Sequence, residues 1–481
     1  MTNSFRDPAG SVLCIGERVI RLVNQEAAES FVSFLDSRTF RDFLRRGQLV
    51  ETSVLSTAEV RELAESGEPR TSVCDLDATV IAEHARIAFL GYPYEWPPEM
   101  LYQAAVLTLD LAERSLDDGF GLKDATPYNV LFNSHKAVMV DVLSFERRDP
   151  HAGLWLPYAQ FVRTFVLPLL VNKHFLLPVA DLLINRRDGL EPEDVYSFCS
   201  PIQKLLAPFL TLVTLPTWLT PLSSARYNQV YRKKSYSDPE QARFVVRQRI
   251  KTLRRALKKV APTENRRSAW SKYMTDNPHS DRYVAAKRTF VENTIARCHS
   301  RKVLDVGCNT GYFSALATKA GASVVAIDCD EIVVGRLWSK ASEENLEILP
   351  LVVDFTRPTP STGWRNQECA SFLERARGHF DMVLMLAVVH HMLVRELIPL
   401  REIITLAAEL TKEFLLIEFV PPDDEMFHQI AHGRDDLFKD LSREFFERTL
   451  GEWFETVEQG PLDGTKRWMY LLRKRRTRPA C

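Results

Sequence analysis

Apolar and polar positions alternate with different periods along this chain. Residues 303–306 form an apolar run, interrupted by Asp305 and closed by Gly307, the pattern of a strand buried in a parallel sheet. Residues 312–319 have helical spacing, and 323–327 form a second apolar run ending at Asp328. Three further runs follow: 346–353, closed by Asp354-Phe355, then 380–386 and 414–419. Strands alternating with helices predict an open α/β sheet, in which ligands sit outside the carboxyl ends of the strands. Asp328, Asp354, residues 386–391 and Glu418 all fall at such ends.

Upstream, residues 156–171 and 202–222 are apolar and helical in character. The stretch 205–225 carries no charge and is long enough to span a membrane. Pro208, Pro216 and Pro221 interrupt it, so a buried pair of short helices is expected. Arg226, Arg232, Lys233 and Lys234 follow directly and leave peripheral membrane contact as an alternative. Residues 238–259 predict a basic helix with a partial apolar stripe of Phe244, Val245, Ile250, Leu253 and Leu257. A solvated face is the preferred reading of its charge, with phosphate contact as the alternative. Residues 261–265 have linker chemistry. The expected organisation is an α+β domain over 1–235 with a helical end, a basic helix and linker over 236–268, and the α/β domain over 269–481.

Composition narrows the function classes. A net charge of -1 gives no global attraction to nucleic acid, and the basic cluster at 473–476 is a short tail, so no nucleic-acid partner is expected. The eight cysteines form no C-x-x-C pair, which argues for reduced thiols and against a zinc site. Residues 1–13 contain Arg6 and Asp7 and no apolar core, so no secretory signal is visible and a cytoplasmic location is expected.

The glycine loop defines the chemistry. Nicotinamide enzymes use G-x-G-x-x-G, with a helix N-terminus facing a pyrophosphate. Here the run is Asp305-x-Gly307-x-Asn309-x-Gly311. An acid ahead of the glycines repels pyrophosphate and suits a cationic, amino-bearing ligand. This pattern resembles class I S-adenosylmethionine-dependent methyltransferases. The resemblance implies that Gly307, Asn309 and Gly311 shape the methionine pocket above Asp305, beside Tyr312 and Phe313. Asp328 would accept from the ribose hydroxyls, next to Cys329. Asp354 and Phe355 would flank the adenine, with Leu386 on the fourth strand; a helix N-cap is the plain alternative for Asp354.

A second constellation lies in the first half. Asp124 and Asn129 sit in a polar turn, followed by strands at 130–132 and 137–140 and then Asp141. One base and two magnesium ligands at this spacing form a phosphotransferase arrangement. It resembles the catalytic and metal loops of protein-kinase-like and aminoglycoside-phosphotransferase-like folds. Arg21, on a strand at 18–23, stands where an active kinase has Lys, and Glu26 and Glu29 on the next helix are candidate partners. No histidine precedes Asp124, Val-Leu-Ser follows Asp141, and no glycine-rich loop precedes Arg21. A degenerate kinase-like scaffold is therefore expected. Active phosphoryl transfer with Mg-ATP, the metal on Asn129 and Asp141, stays open, as does an unrelated α+β domain. The aromatics of 92–97 are read either as a stacking surface or as core.

The runs 349–354, Pro358-Thr359-Pro360, Gly363-Trp364, 386–391 and 417–421, with Lys123-Asp124-Ala125, Tyr128-Asn129 and Ser144-Phe145-Glu146, resemble the NoeA-related (nodulation protein-like) bacterial methyltransferase family over nearly the whole chain. Candidate catalytic residues are His390 and His391, as a base past the fourth strand, and Glu418, holding a substrate amine or hydroxyl. No metal is expected at this site. The insert between Phe355 and Phe380 reads as a substrate lid, with Trp364 folding over the pocket. Trp270, Tyr273, His279 and Tyr283 precede a leading helix, and Tyr283 is a candidate lid contact.

The combined expectation is a seven-stranded Rossmann-like methyltransferase sheet behind a kinase-like α+β domain. It would act on a small-molecule or glycan-like acceptor that the first domain helps to bind. A bifunctional kinase-methyltransferase and a non-catalytic, cofactor-binding assembly module are the competing readings.

Overall fold

The computed structural model describes residues 6–65, 79–219, 235–263, 266–268, 270 and 281–476. The chain forms two units: Met1–Thr263 with Thr362–Cys369, and Glu264–Ser361 with Ala370–Cys481.

In the first unit β1 (Gly10–Ile15) and β2 (Arg18–Val23) form an antiparallel hairpin around Gly16, whose φ of 56° suits glycine. With β3 (Thr52–Val54) and β4 (Val80–His84) they make an antiparallel sheet of order β1-β2-β4-β3. The helices Gln25–Leu35 and Arg38–Arg45 bury Phe31, Phe34 and Phe43, and Phe34 stacks on Phe145 at 4.3 Å between ring centroids. Strands β5 (Phe120–Leu122) and β8 (Phe145–Arg147) pair, as do β6 (Val130–Asn133) and β7 (Lys136–Met139). The β6–β7 hairpin lies in sequence between Asn129 and Asp141.

Several expectations change here. Tyr94 and Trp96 are buried, with Trp96 Nε1 donating to the Gly91 carbonyl, so these aromatics are core and present no stacking face. The basic helix Pro239–Lys259 buries Ala242, Val246, Ile250, Leu253 and Leu257, while Phe244 is exposed. Ile250, Leu253 and Leu257 of the expected stripe are buried, and only its first turns differ, with Ala242 and Val246 inside where Phe244 and Val245 were expected. Arg254 binds Asp110 at 2.7 Å and Glu113 at 2.9 Å, and Arg247 pairs with Asp117, so these two cations are committed within the unit. The described part of the uncharged stretch, up to Leu219, folds into the short helices Pro201–Leu205 and Leu215–Leu219 around a π-helical turn, Leu210–Thr214; neither helix buries a side chain, so the pair is short as expected but not buried. Among the described residues no helix is long and apolar enough to cross a membrane.

Residues Thr362–Cys369 of the lid-like insert belong to this first unit. Glu368 binds Arg187 at 2.6 Å and also pairs with Arg6, and the Trp364 amide donates to it at 2.8 Å. Trp364 itself is largely exposed.

The second unit is a seven-stranded sheet of order β11-β10-β9-β12-β13-β15-β14. Strands β9 (Lys302–Val306), β10 (Ser323–Asp328), β11 (Ile348–Val352), β12 (Phe380–Met385) and β13 (Thr411–Phe419) are parallel, and β15 (Trp468–Lys474) runs antiparallel between β13 and the edge strand β14 (Phe454–Pro461). The chain winds outward from β9 to β11 and returns to β12 on the other side. This reversal opens a crevice at the carboxyl ends of β9 and β12.

Candidate active site

A cavity of about 340 Å³ opens at that reversal. Asp305, Gly307, Asn309, Tyr312, Phe313, Asp328, Cys329, Asp354, Phe355 and Leu386 line it, together with His391. Gly307 (φ 70°) is closely packed: a Cβ there would meet Val388 at 3.0 Å. Gly311 (φ 72°) does not line the cavity, because a Cβ would collide with Leu337 at 2.1 Å. This glycine seats one helix against another, a role that spacing alone does not reveal.

The loop is held by its acids. Asp328 accepts from the Asn309 amide and the Asp330 amide, both at 3.0 Å, which couples the second strand to the glycine turn. Burial raises the Asp328 carboxyl above its ordinary value against those two bonds. Asp305 is 3 % exposed and accepts from Ser314 Oγ at 2.5 Å; burial lifts it to about 6. Cys329 is pushed up to about 12 by burial and by Asp328, so it is a thiol and not a nucleophile at neutral pH. Asp354 accepts from the Thr356 amide at 2.8 Å and its hydroxyl at 2.6 Å, closing a turn at the strand tip rather than capping a helix.

Lys287 is the cavity residue that strand-end reasoning missed. It comes from the leading helix Asp281–Cys298, is almost buried, and places Nζ 2.6 Å from Glu418. The available signal was its place one helical turn after Tyr283. Thr356 and Arg357 from the loop after β11, and Met392, Arg395 and Glu396 from the short helix Val389–Val394 and its end, also line the cavity.

Glu418 does not reach the cavity. It is fully buried, accepts from Tyr283 Oη at 2.8 Å and pairs with Lys287 and Arg467. Burial pushes this carboxyl up, but the two cations outweigh it and hold it below the ordinary value. Arg467 in turn grips Asp424 through two 2.9 Å bonds. Glu418 thus holds Lys287 from behind the cavity wall. Tyr283 belongs to the same buried network and is not a lid contact. Tyr273 and His279 lie outside the described residues.

The two histidines separate. His391 lines the cavity with its ring 5.2 Å from Trp270, edge to face. Burial, then Arg395 and Arg467, lower it to about 4, so it is neutral near pH 7. His390 does not line the cavity; it is buried, held well below its ordinary value, and its Nδ1 meets no partner among the described residues.

In the first unit Arg21, Asp124, Asn129 and Asp141 do converge. Arg21 donates to Asp141 at 3.1 Å and to His84 at 3.3 Å. Ser144 donates to Asp141 at 2.6 Å and accepts from Asn129 at 3.0 Å. Burial, then Asp141, raises Asp124. Glu26 and Glu29 are exposed. The guanidinium therefore sits on the carboxylate that an active site would offer to magnesium. Among the described residues no cluster of His, Cys, Asp and Glu could hold a metal ion.

Comparison with known proteins agrees with this geometry. Residues 245–457 match the family model of a methyltransferase domain. The chain is 28% identical to the nodulation protein NoeA of Rhizobium meliloti (strain 1021) over 479 residues, covering 98% of this chain and 96% of that protein. It is 30% identical to the ubiquinone biosynthesis O-methyltransferase of Caulobacter sp. (strain K31) over 90 residues, 19% of this chain and 30% of the other. Among solved structures, the N-methyltransferase NodS from Bradyrhizobium japonicum WM9 aligns with 41% of this chain and 98% of its own at 14% identity and a TM-score of 0.30. The second unit, with its 3-2-1-4-5-7-6 strand order and its acid-led glycine loop, is a class I S-adenosylmethionine-dependent methyltransferase domain, and the protein is a methyltransferase related to NoeA.

Proposed function

We propose that the chain methylates a small-molecule or glycan-like acceptor, with the first unit contributing to acceptor binding. The observation that carries the reading is the cavity at the topological reversal, with Asp305 and Asp328 beneath and beside a glycine turn. These residues fit S-adenosylmethionine. Two acids suit its amino group and ribose, Lys287 suits its carboxylate, and the close packing at Gly307 leaves no room for a side chain. When bound, it supplies an electrophilic methyl group; the protein binds, orients and handles protons. Full-length relatedness to a nodulation protein supports the glycan-like acceptor class.

His391 is the residue proposed to take the acceptor's proton. A ring with so low a pKa cannot deprotonate an alcohol in advance. It can accept a proton as an attacking hydroxyl oxygen becomes an oxonium and therefore strongly acidic. Incubation of the protein with methyl-labelled cofactor and fractionated extract tests the reading; absence of label in every fraction would sink it.

Phosphoryl transfer is the second reading, favoured by the convergence of Arg21, Asp124, Asn129 and Asp141. The 3.1 Å Arg21–Asp141 pair supports a degenerate site instead. Magnesium-dependent ATP turnover that disappears in Asp141→Ala would reverse that preference.

A further inference from the structure

Three charged side chains of the second unit stand where the cofactor cavity opens to solvent. Arg357, Arg395 and Glu396 all line it, and their side chains are 74%, 71% and 23% exposed. The roots of the two arginines are fixed. The Asp354 carboxylate accepts from the Thr356 amide at 2.8 Å and the Asp354 carbonyl accepts from the Arg357 amide at 3.1 Å, so Arg357 leaves a closed turn. The Arg395 amide donates to the His391 carbonyl at 2.9 Å, which extends the helix Val389–Val394 by one bond. Arg395 therefore follows His391 by four residues on the same helical face, where such Cβ atoms lie about 5–6 Å apart. Arg395 is also near enough to help lower the pKa of that ring, after burial.

The charges at this mouth do not cancel. Glu396 accepts from Arg357 Nη2 at 2.5 Å and lies 3.8 Å from Arg395 Nε, so one carboxylate serves two guanidiniums. An exposed ion pair contributes little to stability, and an arriving anion can displace it at small cost. Two guanidinium forks match the oxygens of a carboxylate or a phosphate and repel an ammonium group. The acids deeper in the wall are occupied by local donors: Asp354 by Thr356, and Asp328 by the Asn309 and Asp330 amides. Size adds a constraint. The cavity of about 340 Å³ is at the small end of ligand pockets, which run from roughly 300 to 1,000 Å³. With S-adenosylmethionine inside, only the reacting end of an acceptor fits, and its other groups meet the rim.

We propose that the acceptor carries an anionic group, a carboxylate or a phosphate monoester, about one helical turn from the hydroxyl that is methylated, and that Arg395 and Arg357 bind this group while His391 faces the hydroxyl. The inference rests on the methyl-transfer reading and narrows its acceptor to acidic hydroxylated compounds, such as sugar acids or sugar phosphates. The two arginines are then specificity residues, which act on acceptor binding and not on the methyl group.

The test incubates the full chain with methyl-labelled S-adenosylmethionine and a fractionated bacterial extract, and passes the labelled products over an anion exchanger at neutral pH. The label should be retained. Its release by phosphatase identifies a phosphate monoester, and label that stays bound identifies a carboxylate. Arg395→Gln and Arg357→Gln should each raise the apparent KM for the retained fraction roughly tenfold or more, with a smaller change in kcat and unchanged S-adenosylmethionine affinity. Arg395→Lys, which keeps the charge and loses the fork, should fall between wild type and Arg395→Gln. Labelled product that passes the exchanger uncharged, or that a cation exchanger holds instead, would overturn the proposal and leave methyl transfer standing. Equal KM values in wild type and both glutamine variants would overturn it as well. No label in any fraction would overturn the methyl-transfer reading and this inference with it.

Discussion

Lys287 Nζ stands 2.6 Å from Glu418 Oε2, with both side chains withdrawn from water and only the lysine facing the cofactor cavity. The pair resolves an otherwise poor arrangement, an almost buried cation in the wall of the pocket. Breaking one partner of a buried pair costs about 3–5 kcal/mol, because the other charge is left uncompensated. Glu418→Gln is therefore expected to lower stability markedly, by chemical denaturation, before any effect on chemistry. Lys287→Met keeps the stem's packing and removes the charge. It should weaken S-adenosylmethionine binding by about tenfold or more, the worth of a charge-assisted hydrogen bond. Unchanged affinity in calorimetry would show that the lysine serves only the buried network.

Asp305 predicts a pH dependence with a definite sign. Burial raises its folded-state pKa from 3.8 to about 6. Such an acid holds its proton more tightly in the folded chain than in the unfolded one. Stability is then lost as pH rises from about 4 to about 6, on the order of 3 kcal/mol from this group, and does not return above that range. Asp305→Asn should remove that component, so the difference between wild type and variant in apo-protein melting should grow across the window and then level off. Parallel pH profiles for the two proteins would contradict the raised pKa.

Asp328 serves two structures at once. Its oxygens already accept the Asn309 and Asp330 amides, and the same carboxylate faces the cavity. Asp328→Ala should therefore cost both the ribose contacts and the shape of the glycine turn. With about 1.5–3 kcal/mol for a hydrogen bond to a charged group, the expected loss is about 10- to 100-fold in S-adenosylmethionine affinity. Competition with a ribose-lacking analogue separates the two effects. An analogue that binds the variant as well as the wild type places the loss in the sugar contact alone.

The second unit was largely legible in the sequence because its signals are local. Buried parallel strands are continuous apolar runs, and the acids at their ends mark the side on which ligands bind. Residues 303–306, 312–319 and 323–327 needed no tertiary information. What escaped was set by contacts between distant segments. Glu418 reads as a free strand-end acid until Lys287 and Arg467, far away in sequence, arrive beside it. Gly311 reads as a cofactor glycine until Leu337 packs on it. The apolar stripe of Pro239–Lys259 was read correctly at Ile250, Leu253 and Leu257 but not at its start, where Phe244 outweighs Ala242 in any hydropathy count although the alanine is the buried residue. Trp364 suggested a lid because indoles cover pockets, yet its loop is fixed through Glu368 in the first unit.

His390 and His391 are adjacent in sequence with opposite surroundings, and this gives a sharp test. His391 borders the cavity, with a neutral ring whose pKa is about 4. His390 is enclosed, does not line the cavity, and is neutral through burial. If His391 takes the acceptor's proton, His391→Ala should retain S-adenosylmethionine affinity while lowering kcat by about 10²–10⁴-fold. His391→Gln should restore little, because an amide is not a proton acceptor of comparable strength. The wild-type rate should show no titration near pH 6.5, the ordinary histidine value, since the ring stays neutral down to about its lowered pKa of 4. His390→Leu should act through packing, changing stability more than kcat, since no reacting atom can approach the ring. Loss of cofactor binding in His391→Ala would move that residue from proton transfer to the cofactor wall. A large kcat effect in His390→Leu at unchanged stability would exchange the roles of the two rings.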